Sequence, residues 1–172
     1  MSETPSIIYR EATVADSFGV AQVHVKSWRE SFAGLVPQSF LDNMTVEKRA
    51  KAFANRAGAG FYKMFLAETQ EGVLGFMDVG EPRDRELSYD AELYAIYILK
   101  EFQRKGIGQE LFRLGVGAAV AAGMNSMYLL ALEVSPYRPF YEKLGGKLAG
   151  RKVVALDGVD FSAVIYAWDK LR

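Results

Sequence analysis

The chain has 172 residues, half of them hydrophobic, and its 21 lysines and arginines balance 21 aspartates and glutamates. A formal net charge of zero disfavours a general nucleic-acid-binding protein, because such proteins neutralise phosphates with an excess of basic residues. The lack of cysteine excludes disulfides, thiolate nucleophiles and cysteine-ligated zinc. The first residues lack a signal-peptide pattern and no run of 18 apolar residues occurs, so we expect a cytoplasmic protein with no membrane partner. We also expect no metal.

The first third of the sequence predicts one short strand followed by helices. Residues 6–10 are β-branched and short, as in a strand. An apolar stripe with steps of three and four residues then predicts a helix of about four to five turns; it consists of Phe18, Ala21, Val25, Trp28 and Phe32. Gly34 ends this helix, a short helix runs from residue 37 to 41, and Thr45 caps a third helix.

The rest of the sequence places strands and helices between two hairpins. The first hairpin joins strands at 61–68 and 73–79, and the second joins strands at 147–156 and 159–168. Between them we predict a strand at 92–99, a helix that ends at Gly123, a strand at 126–134 and a helix at 136–144. A strand-helix-strand unit of this kind requires a right-handed crossover and a parallel pair, whereas hairpins are antiparallel. The order therefore predicts a mixed sheet in a single domain over residues 1–172.

Two glycines lie inside the helix that ends at Gly123. Gly115 and Gly117 each lower helix stability by about 1 kcal/mol relative to alanine. We interpret both as positions where the helix packs closely on the sheet.

The segment Gln103-Arg104-Lys105-Gly106-Ile107-Gly108 joins the strand at 92–99 to that helix. It is neither a Walker A loop nor a dinucleotide-binding fingerprint, because it lacks GxxxxGK[ST] and has Leu111 where the third glycine would stand. It is either a basic connector or a phosphate site. Its position favours phosphate, since a helix N-terminus offers free N–H groups and a favourable dipole, and glycine lets the backbone approach the ligand.

Two motifs and the order of the elements resemble the GCN5-related N-acetyltransferase (GNAT) superfamily. The loop QRKGIG at 103–108 resembles the family's Q/R-x-x-G-x-G/A signature, and SPYRPFYEKLGGKLAG at 135–150 resembles N-x-x-A-x-x-FYEKLGF. The resemblance runs from end to end, and the helical region at 14–57 is similar to the family's acceptor-side helices. It implies an α/β (α+β) fold: a GNAT-like, mixed, mostly antiparallel sheet of six to seven strands, with a central parallel pair (strands 4 and 5) and flanking helices.

The resemblance also implies acetyl-CoA as cosubstrate and assigns residues to it. The loop amides would hold the pyrophosphate, and strand 4 would pair with the pantetheine arm near its end. Ser135 and Tyr137 lie in the part of the second motif where the family usually has asparagine and alanine, so both are expected beside the arm. The implied cofactor-binding residues are Ile98, Leu99, Gln103, Arg104, Lys105, Gly106, Ile107, Gly108, Ser135, Tyr137 and Tyr141.

Two residues are implied to act in catalysis. Tyr141 matches the family's tyrosine, which would protonate the leaving thiolate; a phenol with a pKa of about 10 is protonated at pH 7. The alternative is a core tyrosine. Glu92 opens strand 4, where many relatives carry a glutamate that relays the acceptor's proton through water, and its alternative is a solvated carboxylate. Asp90 is a weaker candidate, and the only histidine, His24, is expected to pack against its neighbours.

These assignments imply direct transfer of the acetyl group to a primary amine of a small molecule or peptide in a ternary complex. Trp28 and Phe32 are expected to border the acceptor pocket. The alternative is a non-catalytic acyl-CoA-binding or sensing module on the same fold. We expect no nucleic-acid partner. A homodimer through Phe161, Ile165 and Trp168 of the last hairpin is a further expectation, with a buried sheet face as the other explanation of those residues.

Overall fold

A computed structural model describes residues 5–172, which form a seven-stranded sheet with helices packed on it. The strands are β1 (Ile8–Glu11), β2 (Tyr62–Thr69), β3 (Gly72–Gly80), β4 (Ala91–Ile98), β5 (Met127–Leu132), β6 (Lys147–Leu156) and β7 (Val159–Trp168). The helices are α1 (Ser17–Phe32), α2 (Gln38–Asn43), α3 (Val46–Arg56), α4 (Ile107–Ala121) and α5 (Arg138–Lys143). Among residues 5–172, no helix has the length and apolar character needed to cross a membrane.

The sheet has the order β1-β2-β3-β4-β5-β7-β6, and only its β4–β5 neighbours are parallel in the described part of the chain. The predicted fold class, a mixed and mostly antiparallel sheet with strands 4 and 5 parallel, is therefore confirmed. Both predicted hairpins are present. The turn at Asp157 and Gly158 has positive φ angles of 53° and 78°, as a two-residue type I′ connection requires.

Local signals explain where the N-terminal helices begin and which side they bury. Thr45 caps α3, since its hydroxyl accepts a hydrogen bond from the backbone N–H of Lys48 at 3.3 Å. The predicted stripe of α1 is buried at Ala21, Val25 and Phe32, but Phe18 is 53% exposed. Phe18 lies in the first turn of the helix, so the stripe begins one turn later than its spacing indicated.

The two faces of the sheet carry separate apolar clusters. One face packs on α4 through residues such as Met77, Leu111 and Tyr166. The other packs on α1 and α3 through residues such as Val20, Phe53 and Phe76, along with Leu66 and Ala95. Alternate residues of β3 therefore serve different layers, as expected for a strand covered on both sides.

Strand β4 is paired with β5 only at its beginning. The parallel ladder contains the pairs Ala91–Met127 and Glu92–Tyr128 and then stops. From residue 93 onward β4 is paired only with β3, while β5 continues to pair with β7. The sheet therefore opens into a gap between its two central strands.

A bulge in β4 lies where this gap begins. Val79 of β3 pairs with Leu93 and the preceding Asp78 pairs with Ala95, which leaves Tyr94 as the extra residue of β4. A bulge bends its strand and increases the local twist. The bulge at Tyr94 thus accounts for the divergence of β4 from β5.

The last hairpin forms one edge of the sheet, with β6 outermost. Ile165 and Trp168 are buried within the chain, so a covered sheet face explains them without a partner. Leu148 and Val153 of β6 are exposed instead. A homodimer through this hairpin stays a prediction.

The two helical glycines differ in their surroundings. A Cβ added at the buried Gly115 would lie 2.1 Å from Cε of Met77. At the exposed Gly117, no atom of residues 5–172 beyond the helix's own backbone and the two chain neighbours lies within 4 Å of such a Cβ. The close-packing interpretation is confirmed for Gly115 and wrong for Gly117, which faces solvent.

We expect Gly117→Ala to raise the free energy of unfolding by about 1 kcal/mol, because alanine has the higher helix propensity. Gly115→Ala should lower it by about 1 kcal/mol, because displacing the buried Met77 side chain outweighs the same gain in propensity. Urea unfolding of both variants, followed by circular dichroism, gives the two differences. A stabilised Gly115→Ala protein would contradict the packing argument.

Candidate functional site

The glycine loop, residues 103–108, lies where β4 ends and α4 begins. A short 3-10 turn at Lys100–Phe102 leads into it from the strand. Arg104 and Gly106 both have left-handed φ angles, of 60° and 80°, and Gly106 is the N-cap residue of α4. The loop therefore turns sharply at the open end of the gap between β4 and β5.

Several backbone donors meet in the glycine loop. Within residues 5–172, the N–H groups of Arg104, Lys105 and Gly106 have no backbone acceptor. The first N–H groups of α4, from Ile107 on, have no partner within the helix either. The loop and the positive end of the helix dipole together form a site suited to an anion.

Gly108 allows the first turn of α4 to approach both β4 and α5. A Cβ at this position would lie 2.8 Å from Cζ of Phe140 and 3.1 Å from Cδ1 of Ile98. A real Cβ does not tolerate the first of these distances without displacement of its neighbour. The requirement for glycine is therefore steric, and it places the second motif directly against the first.

Hydrogen bonds tie the two motifs together. Gln103 Nε2 donates to the carbonyl of Ile98 at 3.0 Å and lies 3.5 Å from the hydroxyl of Tyr137. That hydroxyl also shares a short hydrogen bond with Ser31 of α1. The buried Ser135 accepts from the backbone N–H of Tyr137 at 3.2 Å. Tyr137 thus joins α1, the glycine loop and the entry to α5.

Tyr141 lies on α5 and is buried, with Tyr166 at a ring-centroid distance of 5.9 Å. Burial raises the pKa of Tyr141 well above its usual value, and the neighbouring phenols of Tyr97, Tyr137 and Tyr166 act in the same direction. The hydroxyl is therefore protonated across the neutral pH range and is able to donate a proton.

Glu92 is held by four hydrogen bonds and is only 1% exposed. Oε1 accepts from Nε and Nη2 of Arg83 at 3.1 and 2.6 Å, and Oε2 accepts from the Arg83 backbone N–H at 2.8 Å and the Tyr128 hydroxyl at 2.9 Å. The alternative of a solvated carboxylate at a strand end is wrong. The relay role of Glu92 stays a prediction. Asp90 accepts from the backbone N–H groups of residues 125 and 126, which shapes the entry to β5.

His24 packs among aromatic rings, as expected. Its ring centroid lies 5.1 Å from that of Tyr97, 5.8 Å from Phe53 and 6.3 Å from Trp28. Burial lowers its pKa to about 3, with help from the positive charges of nearby arginines on α3. The imidazole is therefore neutral, and neither ring nitrogen has a hydrogen-bond partner among residues 5–172.

Trp28 lies beside this histidine and Phe32 beside Trp28, and the two differ in exposure. Phe32 is buried and stacks on Trp28 at 4.3 Å, in a cluster with Val36 and Leu41. Trp28 is partly exposed and lies 6.5 Å from Tyr97 of β4. Their role at the border of an acceptor pocket stays a prediction, for which Trp28 is the more accessible of the two.

Sequence reasoning missed a carboxylate on β3. Asp78 is 0% exposed; its Oδ2 accepts from the Tyr62 hydroxyl at 2.7 Å and lies 3.4 Å from Nη1 of Arg56. Its Oδ1 has no hydrogen-bond partner among the described residues, 5–172. Burial raises the pKa of Asp78 to about 6, although Tyr62 and Arg56 oppose the rise. The available signal was a single acidic residue inside the apolar run of β3.

A cleft of about 300 Å³ is lined in part by Tyr62 and Arg56, the two side chains that contact Asp78. Arg83 and Arg56 lie over the ring of Tyr94, at 4.5 and 5.1 Å from its centroid. Tyr62 stacks against the same ring at 5.9 Å. The lining residues are Arg56, Ala59, Phe61, Tyr62, Glu81, Pro82, Arg83 and Tyr94.

Buried polar side-chain atoms that lack a hydrogen-bond partner are concentrated in one region of the structure. Among residues 5–172 they belong to His24, Ser27 and Trp28 of α1 and to Asp78 of β3. These two elements pack on each other through the cluster that contains Val20 and Phe76. Since buried polar groups are ordinarily satisfied, this region is suited to a polar ligand.

Comparisons with known proteins agree with this arrangement. Residues 46–145 match the family model of the acetyltransferase (GNAT) domain. YuaI, an uncharacterized N-acetyltransferase of Bacillus subtilis (strain 168), is 31% identical over 166 residues, which cover 96% of this chain and 94% of that protein.

Two solved structures show the same fold at low identity. The PaiA N-acetyltransferase of Thermoplasma acidophilum, in complex with coenzyme A, has a TM-score of 0.67 and 21% identity, covering 92% of this chain and 98% of its own. YncA of Salmonella typhimurium, solved with its cofactor acetyl-CoA, has a TM-score of 0.74 and 16% identity, covering 97% and 95%. The family match and the identity to YuaI show that this chain belongs to the GNAT family and is an N-acetyltransferase.

Proposed function

We propose that the chain moves the acetyl group of acetyl-CoA directly to a primary amine of a small molecule or peptide, with both substrates bound together. One observation carries this proposal: unpaired amides of the glycine loop lie at the mouth of a gap between two parallel strands. A diphosphate at the loop would leave the rest of its carrier free to extend into the gap.

The residues around the gap fit acetyl-CoA. Backbone donors of residues 103–108 would bind the pyrophosphate, and the exposed side chains of Arg104 and Lys105 add positive charge at the rim. Beyond residue 92, β4 has no strand neighbour on the β5 side, so its backbone is available to the amides of the pantetheine arm. Ile98 and Leu99 at the end of β4, with Ser135 and Tyr137 across the gap, would line that arm.

The proposed chemistry divides between the two central strands and α5. The amine nitrogen attacks the thioester carbonyl carbon, the C–N bond forms and the C–S bond breaks. A backbone N–H of β4 would stabilise the developing oxyanion. Tyr141 would give its proton to the departing thiolate and regain one from the amine nitrogen, which loses its second proton as the amide forms. Holding both substrates in one geometry supplies much of the rate, since the reaction becomes effectively intramolecular.

The acceptor must lose a proton before it attacks. In the prediction, Glu92 relays that proton through water. Both of its oxygens already accept hydrogen bonds from Arg83 or Tyr128, so a water molecule would have to compete with them.

A non-catalytic acyl-CoA-binding module remains the alternative. A binding module needs the glycine loop and the gap but gains nothing from buried unpaired polar groups such as Oδ1 of Asp78, which lower stability. Their presence favours the enzyme. The predicted cytoplasmic location and homodimer, and the expected lack of a nucleic-acid partner, are compatible with either reading.

Saturating acetyl-CoA should raise the melting temperature, because a ligand that binds only the native state stabilises it by about 2.7 kcal/mol at a concentration of 100 Kd.

Gly108→Ala should weaken acetyl-CoA binding about tenfold or more, since the added methyl group displaces Phe140 and the first turn of α4. Gly117→Ala, on the same helix but exposed, is the matched control and should bind normally. Thermal melts measure the stabilisation of the wild type, and isothermal titration measures the affinity of the variants. A wild-type melting temperature that acetyl-CoA does not change would exclude the proposed cofactor site.

Tyr141→Phe should lower kcat about 100-fold or more, because a general acid typically contributes that much. Acetyl-CoA affinity should stay within about threefold of wild type, since the ring is retained. Thiol release over a panel of primary amines gives the rate, and Tyr89→Phe serves as a control for loss of a hydroxyl elsewhere. Full turnover by Tyr141→Phe would exclude the acid role but not the family assignment.

A further inference from the structure

We infer that Asp78, acting through the hydroxyl of Tyr62, takes the proton of the acceptor amine, and that the amine enters through the cleft beside Tyr94. The inference rests on the proposed function, because it requires an amine that attacks acetyl-CoA. It assigns a proton-accepting pair on β2 and β3 to a role that the family resemblance had given to Glu92.

The two buried carboxylates of this region differ in how fully they are satisfied. Glu92 accepts four hydrogen bonds, three of them from Arg83. Asp78 has one short hydrogen bond, from Tyr62, and a long contact with Arg56. Its Oδ1 has no partner within hydrogen-bonding geometry among residues 5–172, although the backbone N–H of Ala95 is near enough to lower its pKa. A carboxylate with few donors holds its negative charge less well and is therefore the better proton acceptor.

Asp78 lies close to the place where chemistry is proposed. It pairs with Ala95 across the β3–β4 ladder, immediately beside the bulge at Tyr94. Opposed Cα atoms in an antiparallel pair are about 4.5–5.5 Å apart. The carboxylate is thus one strand away from the gap that would hold the thioester, on the face that packs against α1 and α3.

Tyr62 connects the buried carboxylate to the accessible cleft. Its side chain lines the cleft, and its hydroxyl donates to Asp78 at 2.7 Å. An ammonium group in the cleft would pass a proton to the Tyr62 oxygen while the Tyr62 hydroxyl proton moves to Oδ2 of Asp78. The neutral amine then attacks, and the proton on Asp78 returns to solvent after the product leaves.

The charges around Asp78 set the pH at which this relay works. The groups that face it or its strand are Arg49 and Arg56 of α3, Tyr62 of β2, Tyr94 and Tyr97 of β4, Arg83 of the β3–β4 loop and neutral His24 of α1. The arginines favour the charged carboxylate, but burial outweighs them and raises the pKa of Asp78 to about 6. Above pH 6 the carboxylate is ionised and ready to accept.

The same displacement of the pKa has a consequence for stability. Because the folded pKa of about 6 lies above the ordinary value of 3.8, the native state binds this proton more tightly than the unfolded chain does. Ionised Asp78 therefore destabilises the fold, and this effect grows as the pH rises from about 4 to 6 and then stays constant. An asparagine at this position should be tolerated better above pH 6 than at pH 4.

The experiment compares three variants: Asp78→Asn, Tyr62→Phe and Glu92→Gln. Wild type is first assayed for thiol release from acetyl-CoA with spermidine, lysine, kanamycin and a peptide with a free N-terminus, and the fastest amine is kept. Wild-type kcat/KM should rise with pH through about 6. Asp78→Asn should lower kcat/KM about 100-fold at pH 7.5 and abolish the rise of kcat/KM through pH 6, with acetyl-CoA affinity preserved and the melting temperature at pH 7.5 not reduced.

The other variants separate the relay from a structural role. Tyr62→Phe should lose at least about tenfold in kcat/KM, and combining it with Asp78→Asn should add little, because both act in one proton path. Glu92→Gln should keep the limb near pH 6. If Asp78→Asn does not fold, Tyr62→Phe decides, since it leaves the carboxylate in place.

Two results overturn the inference and are distinguishable from each other. An active wild type with an equally active Asp78→Asn or Tyr62→Phe variant, or with a pH limb that only Glu92→Gln removes, excludes the Asp78 relay and leaves the proposed function intact. A wild type that releases no thiol with any of the four amines excludes both.

Discussion

The structure depends on one interruption of regular pairing, the bulge at Tyr94 in β4. An uninterrupted ladder would carry β4 alongside β5 and close the centre of the sheet. With the bulge, the parallel pair lasts for two residue pairs and then separates. The consequence is a slot whose walls are the backbones of two central strands, one end of which lies under the N-terminus of α4. The glycine loop lies at one end of this slot, and Asp78 lies one strand away from it, beside the bulge.

The polar groups of this region have a price in stability. Asp78 leaves one oxygen unpaired, and His24, Ser27 and Trp28 each bury polar atoms without partners in the described part of the chain. An apolar core would be more stable at these positions, because an unpaired buried polar group costs about 1–3 kcal/mol. Natural proteins accept such costs chiefly where a ligand or a reaction uses the groups. Glu92 is the contrast: both of its oxygens accept hydrogen bonds, which connect it to Arg83 in the loop before β4 and to Tyr128 of β5.

Much of the fold could be predicted from local signals. Hairpin turns, helix caps and the glycine loop are encoded by a few adjacent residues, and the order of the elements then predicts the parallel pair.

The prediction was wrong at positions where tertiary packing determines the outcome. The predicted stripe of α1 included Phe18, which lies one turn before the buried residues and does not reach the core. Gly117 is in the same helix as Gly115, two residues later, but it faces solvent, whereas Gly115 packs against Met77. The environment of Glu92 and the importance of Asp78 depend on Arg83, Tyr128, Tyr62 and Arg56. These partners lie 9 to 36 residues away in sequence, so no local pattern brings them together.

Tyr137 replaces the small residue that is usual at its place in the second motif, and its hydroxyl touches both Ser31 of α1 and Gln103 of the glycine loop. The hydroxyl oxygen of Tyr137 therefore connects three segments that are distant in sequence. A substitution at one of these positions therefore affects the others. An alanine at 137 would remove the hydrogen-bond partner of the Ser31 hydroxyl and a contact of the Gln103 amide. Across homologous sequences, the residues at positions 31, 103 and 137 should therefore covary. Homologues with a small residue at 137 should have a different contact between α1 and the glycine loop.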